Sequence, residues 1–263
     1  MAKIGVCLSG CGVNDGAEIH ESVITALALD RAGAEILYTA PDMEQTKVVN
    51  HLTGDEMNES RNVLVESARI ARGDITDLAE LTSDDMDGLI FPGGGMAQRD
   101  MMVVAKEAEA AGFDSLYVTE AWRSAFVPLT ALALATERVR IGSYVLNAYG
   151  RSPFITGMSA VDVDELSGGR LLLGVGSGNR HINVDWQGIP HEKPYLKMTE
   201  YIENLKQIVR TPAGSHVSYE GEIHRMDWVP AVTPIRESIP IYISAIFPRM
   251  VRVAGRVADG IAM

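Results

Sequence analysis

Residues 119–122 read TEAW and bring a carboxylate and an indole close together in the sequence. The carboxylate of Glu120 can polarise a small organic molecule, and the indole of Trp122 can form an apolar wall against it. Glu120 can instead serve the fold alone, because an acidic side chain before a helix accepts hydrogen bonds from the first helical N–H groups. TEAW therefore predicts a substrate-contacting site, with helix capping as the alternative role of Glu120.

Residues 174–179 read GVGSGN and combine glycines with hydrogen-bonding side chains. Gly176 and Gly178 let the backbone approach a ligand closely, because neither carries a Cβ atom. Ser177 can donate a hydroxyl hydrogen bond, and the amides of such a turn form a nest that binds an anion. The stretch predicts a ligand-contacting turn, and it is a better phosphate candidate than the three glycines at 93–95.

Alternating strands and helices must position these two stretches. The pattern predicts strands at 3–9, 34–40, 87–94, 113–120, 139–149, 170–176, 239–246 and 259–263, helices at 17–33, 58–73, 97–112, 124–137, 153–169, 195–209 and 248–258, and a hairpin at 216–226. Such alternation indicates parallel sheets, because a parallel pair of strands needs a helical crossover. TEAW and GVGSGN then lie at strand carboxyl ends, where ligands bind in such folds.

The composition excludes several classes of protein. The chain has 263 residues, of which 46% are hydrophobic and 22% charged, as in a globular protein. No apolar run reaches the roughly 18 residues of a membrane span, and the N-terminus lacks the pattern of a signal peptide. The net charge of −12 argues against nucleic acid as a partner. We therefore expect a cytoplasmic protein that binds a small-molecule substrate, not a membrane or nucleic acid, and a homo-oligomer stays open.

The cysteines and histidines predict no metal centre. Cys7 and Cys11 are the only cysteines, and no second pair completes a zinc site. The six histidines form no HExxH or similar pattern. We interpret the histidines, including His20 and His181, as structural or solvated residues.

Residues 113–263 resemble the luciferase-like flavin and deazaflavin oxidoreductases, which are (β/α)8 barrels. The resemblance rests on FDSLYVTEAW at 113–122, DVDELSGGRLLLGVGSGN at 162–179 and PIYISAIFPRMVRVAGRVADGIAM at 240–263. It extends to the helix at 97–112. The sequence of these segments is most similar to members that use the deazaflavin coenzyme F420, and FMN is the alternative cofactor.

The resemblance implies roles for residues at two strand ends. It places Glu120 and Trp122 beside the flavin as catalytic residues, with Ala121 where related enzymes often carry a histidine. It places Asn147 and Ala148 in contact with the cofactor, at a bulge that the family often builds with a non-proline cis peptide bond.

Two further segments are implied to contact the cofactor. The implied cofactor-binding residues there are Gly176, Ser177, Gly178 and Asn183 in one segment, and Ser244, Ala245 and Ile246 in the other. Asn179 is the third predicted catalytic residue. It stands where some relatives carry a proton-donating glutamate, and an amide cannot transfer a proton in that way.

Residues 1–94 resemble a different family, the N-terminal half of the ElbB-type glyoxalases of the amidotransferase-like PfpI superfamily. KIGVCLSGCGVNDGAEIHE at 3–21, NHLTG at 50–54 and DGLIFPGG at 87–94 carry this resemblance, which implies a flavodoxin-like sheet. The nucleophilic cysteine of that family lies beyond the matching residues, so its chemistry is expected to be absent. The chain therefore reads as a chimera, natural or constructed, with parts 1–95 and 96–263 packed as one body.

The predicted fold class is α/β with parallel strands. Three strands before the junction and five after it match the eight of a barrel, which favours a (β/α)8 barrel-like hybrid of a flavodoxin-like half and a luciferase-like barrel fragment. Closure needs the strand order 1-2-3, whereas a flavodoxin-like sheet has the order 2-1-3. An open doubly wound sheet is the alternative.

The leading functional hypothesis is hydride transfer between coenzyme F420 and a small organic substrate. An FMN-dependent monooxygenase of the same family is one alternative. A folded chimera without catalytic activity is another, because the last two barrel strands of the family are missing. Glyoxalase chemistry from the N-terminal part is the least favoured, because its nucleophile is missing.

Overall fold

The computed structural model of the protein describes residues 1–92, 98–121 and 123–262. The chain divides into two compact units, Met1–Phe113 and Asp114–Met263. The glycine turn at 93–95 and the predicted catalytic residue Trp122 lie outside the described residues. The boundary that we predict after residue 95 falls in the same undescribed stretch, and it stays a prediction.

The first unit is built on a parallel sheet. It contains the strands β1 (Lys3–Cys7), β2 (Glu35–Ala40), β3 (Val48–Val49), β4 (Glu56–Met57), β5 (Thr76–Asp77) and β6 (Gly88–Ile90), the helices α1 (Ile19–Arg31), α2 (Val63–Ala71) and α3 (Gln98–Ala110), and the 3₁₀ turns Leu78–Glu80 and Ser83–Asp85. The sheet has the order β5-β2-β1-β6, and all of its pairings are parallel. A cluster around Val6, Leu8 and Val63 forms the core between this sheet and its helices.

The second unit is built on a five-stranded parallel sheet. It contains the strands β7 (Ser115–Val118), β8 (Arg140–Asn147), β9 (Leu171–Gly176), β10 (Val217–Glu220), β11 (Arg225–Trp228), β12 (Ile241–Ser244) and β13 (Gly260–Ala262), the helices α4 (Phe126–Ala135), α5 (Pro153–Leu166), α6 (Pro194–Ile208) and α7 (Pro248–Val257), and the π-helical segment His181–Trp186. The sheet has the sequential order β13-β12-β9-β8-β7, and β10 pairs with β11 as the predicted hairpin. The carboxyl ends of β7, β8, β9 and β12 therefore meet at one edge.

The predicted α/β class with parallel strands is confirmed. The three strands predicted before the junction are β1, β2 and β6, and they occur in the flavodoxin-like order 2-1-3. β1 is hydrogen-bonded on both sides, to β2 and to β6. This order is the one that opposes closure, and the described strands form open sheets without a closed barrel.

The helices of the described residues include none that is both long and apolar enough to cross a membrane.

A buried carboxylate fixes the hairpin to α6. Glu200 lies on α6 and is 5% exposed. Its two oxygens accept hydrogen bonds from the backbone N–H groups of Glu222, Ile223 and His224, at 2.8–2.9 Å. Burial alone would raise the pKa of Glu200, but these N–H groups hold it below its usual value.

The substitution Glu200→Gln is expected to lower the free energy of unfolding by about 2 kcal/mol at pH 7. The new amide NH₂ must face at least one backbone N–H, so a buried hydrogen bond is lost. In the wild type this stabilisation disappears as the pH falls below the ordinary carboxyl pKa of 4.5, because the unfolded carboxylate takes up a proton first. Urea unfolding at pH 7 and pH 3.5 measures both effects.

The control is Glu203→Gln, one turn further along α6. Glu203 accepts one hydrogen bond from the hydroxyl of Tyr219, and a glutamine oxygen can still accept it. An equal loss of stability in both variants would show that the backbone N–H contacts of Glu200 are unimportant.

Candidate active site

An open pocket lies at the carboxyl ends of β7, β8 and β9. Its volume is about 220 Å³. The pocket is lined by Thr119 and Glu120 after β7, by Tyr144, Val145, Leu146 and Asn147 of β8, and by Gly178, Asn179 and Ile182 after β9. Three of the four segments singled out in the sequence thus meet at one site.

β8 bulges where it borders the pocket. Its pairing with β9 changes register within residues 143–146, and the peptide bond Tyr144–Val145 is cis. The sequence places such a bulge at Asn147 and Ala148, but the structure places it earlier in the strand. Asn147 pairs with Gly176 in the register after the bulge, and the N–H of Ala148 donates to the Gly176 oxygen at 2.9 Å.

The glycines of β9 make room for this bulge. A Cβ atom on Gly174 would lie 2.2 Å from the backbone oxygen of Ser143, and one on Gly176 would lie 2.7 Å from Cγ2 of Val145. Both glycines are buried. Their contacts show that they allow β8 and β9 to approach each other, which differs from the close approach to a ligand that the sequence suggests for Gly176.

Glu120 connects three elements of the second unit. Its Oε1 accepts hydrogen bonds from Arg151 Nε and Nη2, both at 3.1 Å, and from the N–H of Ala125 at the start of α4, at 3.3 Å. Its Oε2 accepts from the N–H of Asn147 at 2.9 Å. Glu120 therefore borders the pocket and is paired with a guanidinium, and it contacts the N-cap residue of α4 without capping the first helical N–H groups.

Behind the pocket wall, two asparagines form a directional hydrogen-bond chain. The Oδ1 of Asn147 accepts from the N–H of Tyr149 at 2.9 Å, and its Nδ2 donates to Oδ1 of Asn183 at 2.8 Å. The Nδ2 of Asn183 donates to the oxygen of Ser177 at 2.8 Å and contacts Nδ1 of His191 at 2.7 Å. Asn183 is fully buried, so it supports the pocket from behind and is not part of its lining.

Gly178 is required by this asparagine pair. Its φ is +61°, in the left-handed region. A Cβ atom here would lie 2.8 Å from Oδ1 of Asn183 and 3.0 Å from Nδ2 of Asn147. A side chain at this position would therefore push against the hydrogen bond that joins the two asparagines.

A cluster of side chains that the sequence does not single out completes the support. The rings of Tyr149 and His191 are stacked with centroids 4.8 Å apart, and Nζ of Lys197 lies 4.2 Å from the Tyr149 centroid. Burial, together with the charges of Arg180 and Lys197, lowers the pKa of His191. Burial also lowers the pKa of Lys197. The spacing of NAYGRSP and GIPHEKPYLK gives no periodic signal that would pair these residues.

The turn after β9 presents Asn179 and Ser177 differently. Asn179 lines the pocket, and its Oδ1 accepts the N–H of Ile182 at 2.8 Å, so its NH₂ group is the part of the amide that can still donate to a ligand. The Ser177 hydroxyl donates to the oxygen of Gly178 at 3.3 Å. Within the described chain, the N–H groups of Gly178 and Asn179 have no hydrogen-bond acceptor. The turn can thus offer backbone donors to an anion, as predicted for a nest.

The fourth predicted segment lies beside the end of β9 and outside the pocket lining. The Cβ atom of Ser244 would lie 3.4 Å from a Cβ atom on Gly176, so this strand end is adjacent to the glycine turn. Ala245 is buried, whereas Ile246 is 80% exposed. None of the three is part of the described pocket lining.

The thiols of the first unit are poorly suited to nucleophilic chemistry. Burial raises the pKa of Cys7 and of Cys11, so both stay protonated at neutral pH. Among residues 1–92, 98–121 and 123–262, no group of three or more histidine, cysteine or acidic side chains could hold a metal ion.

Comparison with known proteins finds relatives of both parts. A glutamine amidotransferase-like class 1 domain-containing protein 3, mitochondrial, from Homo sapiens is 49% identical over 109 residues, which are 41% of each chain. A 5,10-methylenetetrahydromethanopterin reductase from Archaeoglobus fulgidus is 35% identical over 169 residues, which are 63% of this chain and 49% of that protein. The chain thus spans less than half the length of these two curated relatives.

The solved structure of a coenzyme F420-dependent tetrahydromethanopterin reductase from Methanopyrus kandleri has the same fold over 63% of this chain and 52% of that chain, with a TM-score of 0.56 and 27% identity. These two kinds of relative confirm the two-part chimera.

Residues 80–263, well over half of the sequence, match the model of the luciferase-like monooxygenases. This match takes in the whole pocket, and by it the chain belongs to the luciferase-like family of oxidoreductases.

Proposed function

We propose that the chain is an oxidoreductase that transfers hydride between coenzyme F420 and a small organic substrate. The observation that carries the proposal is the pocket at the carboxyl ends of β7, β8 and β9, which collects side chains from three segments of the family. F420 is favoured over FMN because the 27% identical solved structure is named as F420-dependent.

The residues of the pocket fit one face of a planar, partly polar ring. Val145, Leu146 and Ile182 supply an apolar surface, and Asn179 supplies an amide donor. The N–H groups of Gly178 and Asn179 are available to an anionic or carbonyl oxygen. When bound, the deazaflavin would supply hydride chemistry at C5 of its ring.

The side chains of the pocket are suited to positioning more than to proton transfer. Both oxygens of Glu120 already accept hydrogen bonds, Oε2 from the N–H of Asn147 and Oε1 from Arg151, so neither oxygen is free to take a proton from a substrate. The pKa of Tyr144 is raised by burial and by Tyr117, so its phenol stays protonated and can donate a hydrogen bond. Glu120 is therefore assigned to hold the pocket wall, and Asn179 to donate a hydrogen bond to a substrate oxygen.

Titration of the purified chain with F420, followed by quenching of the coenzyme fluorescence, is expected to give a Kd in the micromolar range. The substitution Gly178→Ala should weaken this binding by about tenfold, because its Cβ atom disturbs the asparagine pair behind the pocket. Gly188→Ala is the matched control: its φ is +67°, but nothing lies within 4 Å of a Cβ atom there. Both variants incur the same backbone strain, and only the first should lose affinity.

A parallel titration with FMN separates the alternatives. Tighter binding of FMN than of F420 would favour the monooxygenase reaction. Absence of binding to both cofactors at tens of micromolar would contradict the proposal and leave a folded chimera without catalytic activity. Turnover by the loaded protein is sought with small alcohols, aldehydes and imines as hydride donors or acceptors.

A further inference from the structure

The hydrogen bonds behind the pocket have only one consistent direction. The N–H of Tyr149 can only donate, so it fixes Oδ1 of Asn147 toward Tyr149 and turns Nδ2 of Asn147 toward Asn183. The backbone oxygen of Ser177 can only accept, so it fixes Nδ2 of Asn183 toward Ser177. The backbone groups at the two ends of this series of hydrogen bonds thus determine the orientation of both amides.

This direction determines the protonation state of His191. The same Nδ2 of Asn183 lies 2.7 Å from Nδ1 of His191, and it is a donor. Nδ1 must therefore present its lone pair, which requires the neutral imidazole with its proton on Nε2. A protonated His191 would place an N–H against the NH₂ group of Asn183, and neither asparagine can turn without losing its backbone partner.

The surroundings of His191 oppose protonation. The cations Arg180, after β9, and Lys197, on α6, both act on the imidazole, and the ring of Tyr149 is stacked on it. The hydroxyl of Tyr149 donates to the backbone oxygen of Glu192, next to His191 in the chain. His191 is only half-buried, so a proton can reach it from solvent as the pH falls.

We propose that His191 is a positioning residue of the pocket: its neutral form accepts a second hydrogen bond from Nδ2 of Asn183 and so stabilises the asparagine pair in the orientation that its backbone partners set. Protonation of His191 removes this acceptor and loosens the wall at Asn147 and Gly178, so that ligand binding is linked to protons. Asn147 and Gly178 line the pocket directly, and Gly178 is packed against the hydrogen bond between the asparagines. The prediction about ligand binding rests on the proposed function, whereas the prediction about the imidazole does not.

The imidazole is tested first, on the wild-type chain labelled with ¹⁵N-histidine. Long-range ¹H–¹⁵N NMR spectra at pH 7.5 should show His191 as the Nε2–H tautomer, and it should titrate below its ordinary pKa. An Nδ1–H tautomer, or a charged ring at pH 7.5, would overturn the proposal whether or not any cofactor binds.

The linkage is tested with F420 as the probe, at pH 7.5 and pH 5.5. Wild-type affinity should fall a few-fold more than that of His191→Asn, because an imidazole that titrates below its ordinary pKa is only partly protonated at pH 5.5. The asparagine Oδ1 can replace Nδ1 as an acceptor but does not titrate. His191→Phe keeps a ring against Tyr149 without an acceptor, and it should bind about tenfold more weakly at both pH values. His216→Asn, on the exposed hairpin, should keep the wild-type pH dependence. Any titration of F420 itself affects the affinity of all four proteins equally, so it cancels when their pH dependences are compared.

Equal pH dependence in the wild type and His191→Asn would overturn the proposal, as would wild-type affinity in His191→Phe. If F420 fails to bind any of these proteins, the proposed function is wrong. The proposal for His191 is then decided by its tautomer and by the melting temperatures, where His191→Asn should lose less stability on acidification than the wild type.

Discussion

Replacing Gly174 by alanine is expected to prevent the second unit from folding. Gly174 lies at the centre of β9, between β8 and β12, where an added Cβ atom would lie 2.2 Å from the backbone oxygen of Ser143. The atom it meets is backbone in a neighbouring strand, so no rotamer change can relieve the contact. The pairing of β8 with β9 must separate, which we expect to cost more than about 3 kcal/mol.

Circular dichroism and urea unfolding measure this effect, and Gly255→Ala is the control. Gly255 lies within α7, and nothing is within 4 Å of a Cβ atom built on it. Alanine there should stabilise the chain by about 0.5–1 kcal/mol, because glycine is a poor helix former. Normal folding of Gly174→Ala would mean that β8 does not bulge against β9 in the way described.

The same glycine shows how far the sequence predicts this site. GVGSGN is visible as a glycine-rich turn after a strand, and the resemblance to a family directs attention to it. The contact that requires Gly174 and Gly176 is with a bulge in β8, about 30 residues earlier in the chain. A bulge leaves no periodic signal in the sequence, so the position of this one was predicted a few residues too late.

The order of the strands was also only partly predictable. The alternation of strands and helices specifies parallel pairing, and the described helices and strands follow it closely. Whether β1 lies beside β2 alone or between β2 and β6 depends on the direction of two crossovers, which hydrophobic patterns do not encode. The resemblance of residues 1–94 to a flavodoxin-like family favours the 2-1-3 order, and that order is present.

Supporting residues escaped prediction for a different reason. Arg151 and His191 carry no motif, and each acquires its role from one neighbour that is distant in sequence: Glu120 for the first and Asn183 for the second. Glu120 was identified because it ends a strand, although its partners could not be. Sequence analysis therefore identifies several residues that line the pocket, such as Glu120 and Asn179, and misses partners of these residues such as Arg151.

Glu120→Ala is the second substitution with a large expected effect, because it removes one acceptor group from three donors. The N–H groups of Ala125 and Asn147 lose this acceptor. Arg151 keeps its hydrogen bond to the hydroxyl of Ser124, at 2.7 Å, and its contact with the ring of Phe126. The Glu120 and Arg151 side chains are 14% and 24% exposed, so solvent replaces these contacts poorly. We expect a loss of about 3 kcal/mol in the free energy of unfolding.

The size of the ion-pair contribution is measured by a double-mutant cycle with Arg151→Met. If the guanidinium is destabilising once it is unpaired, the double variant should be more stable than Glu120→Ala by about 1 kcal/mol. Glu165→Ala, at an exposed position of α5, should change the stability by less than about 0.5 kcal/mol. Equal losses at Glu120 and Glu165 would refute the role given to Glu120.

F420 binding distinguishes a structural Glu120 from a reacting one. Asn147 receives its orientation from two sides, through its backbone N–H from Glu120 and through its side chain from Asn183. Glu120→Gln retains an oxygen for one set of donors but not for both, so affinity should fall less than in Glu120→Ala. We assign Glu120 to hold residues of the pocket wall and not to transfer a proton. The rate of the proposed hydride transfer at saturating coenzyme should therefore change far less than Kd. A large fall in that rate at unchanged Kd would instead make Glu120 a catalytic residue.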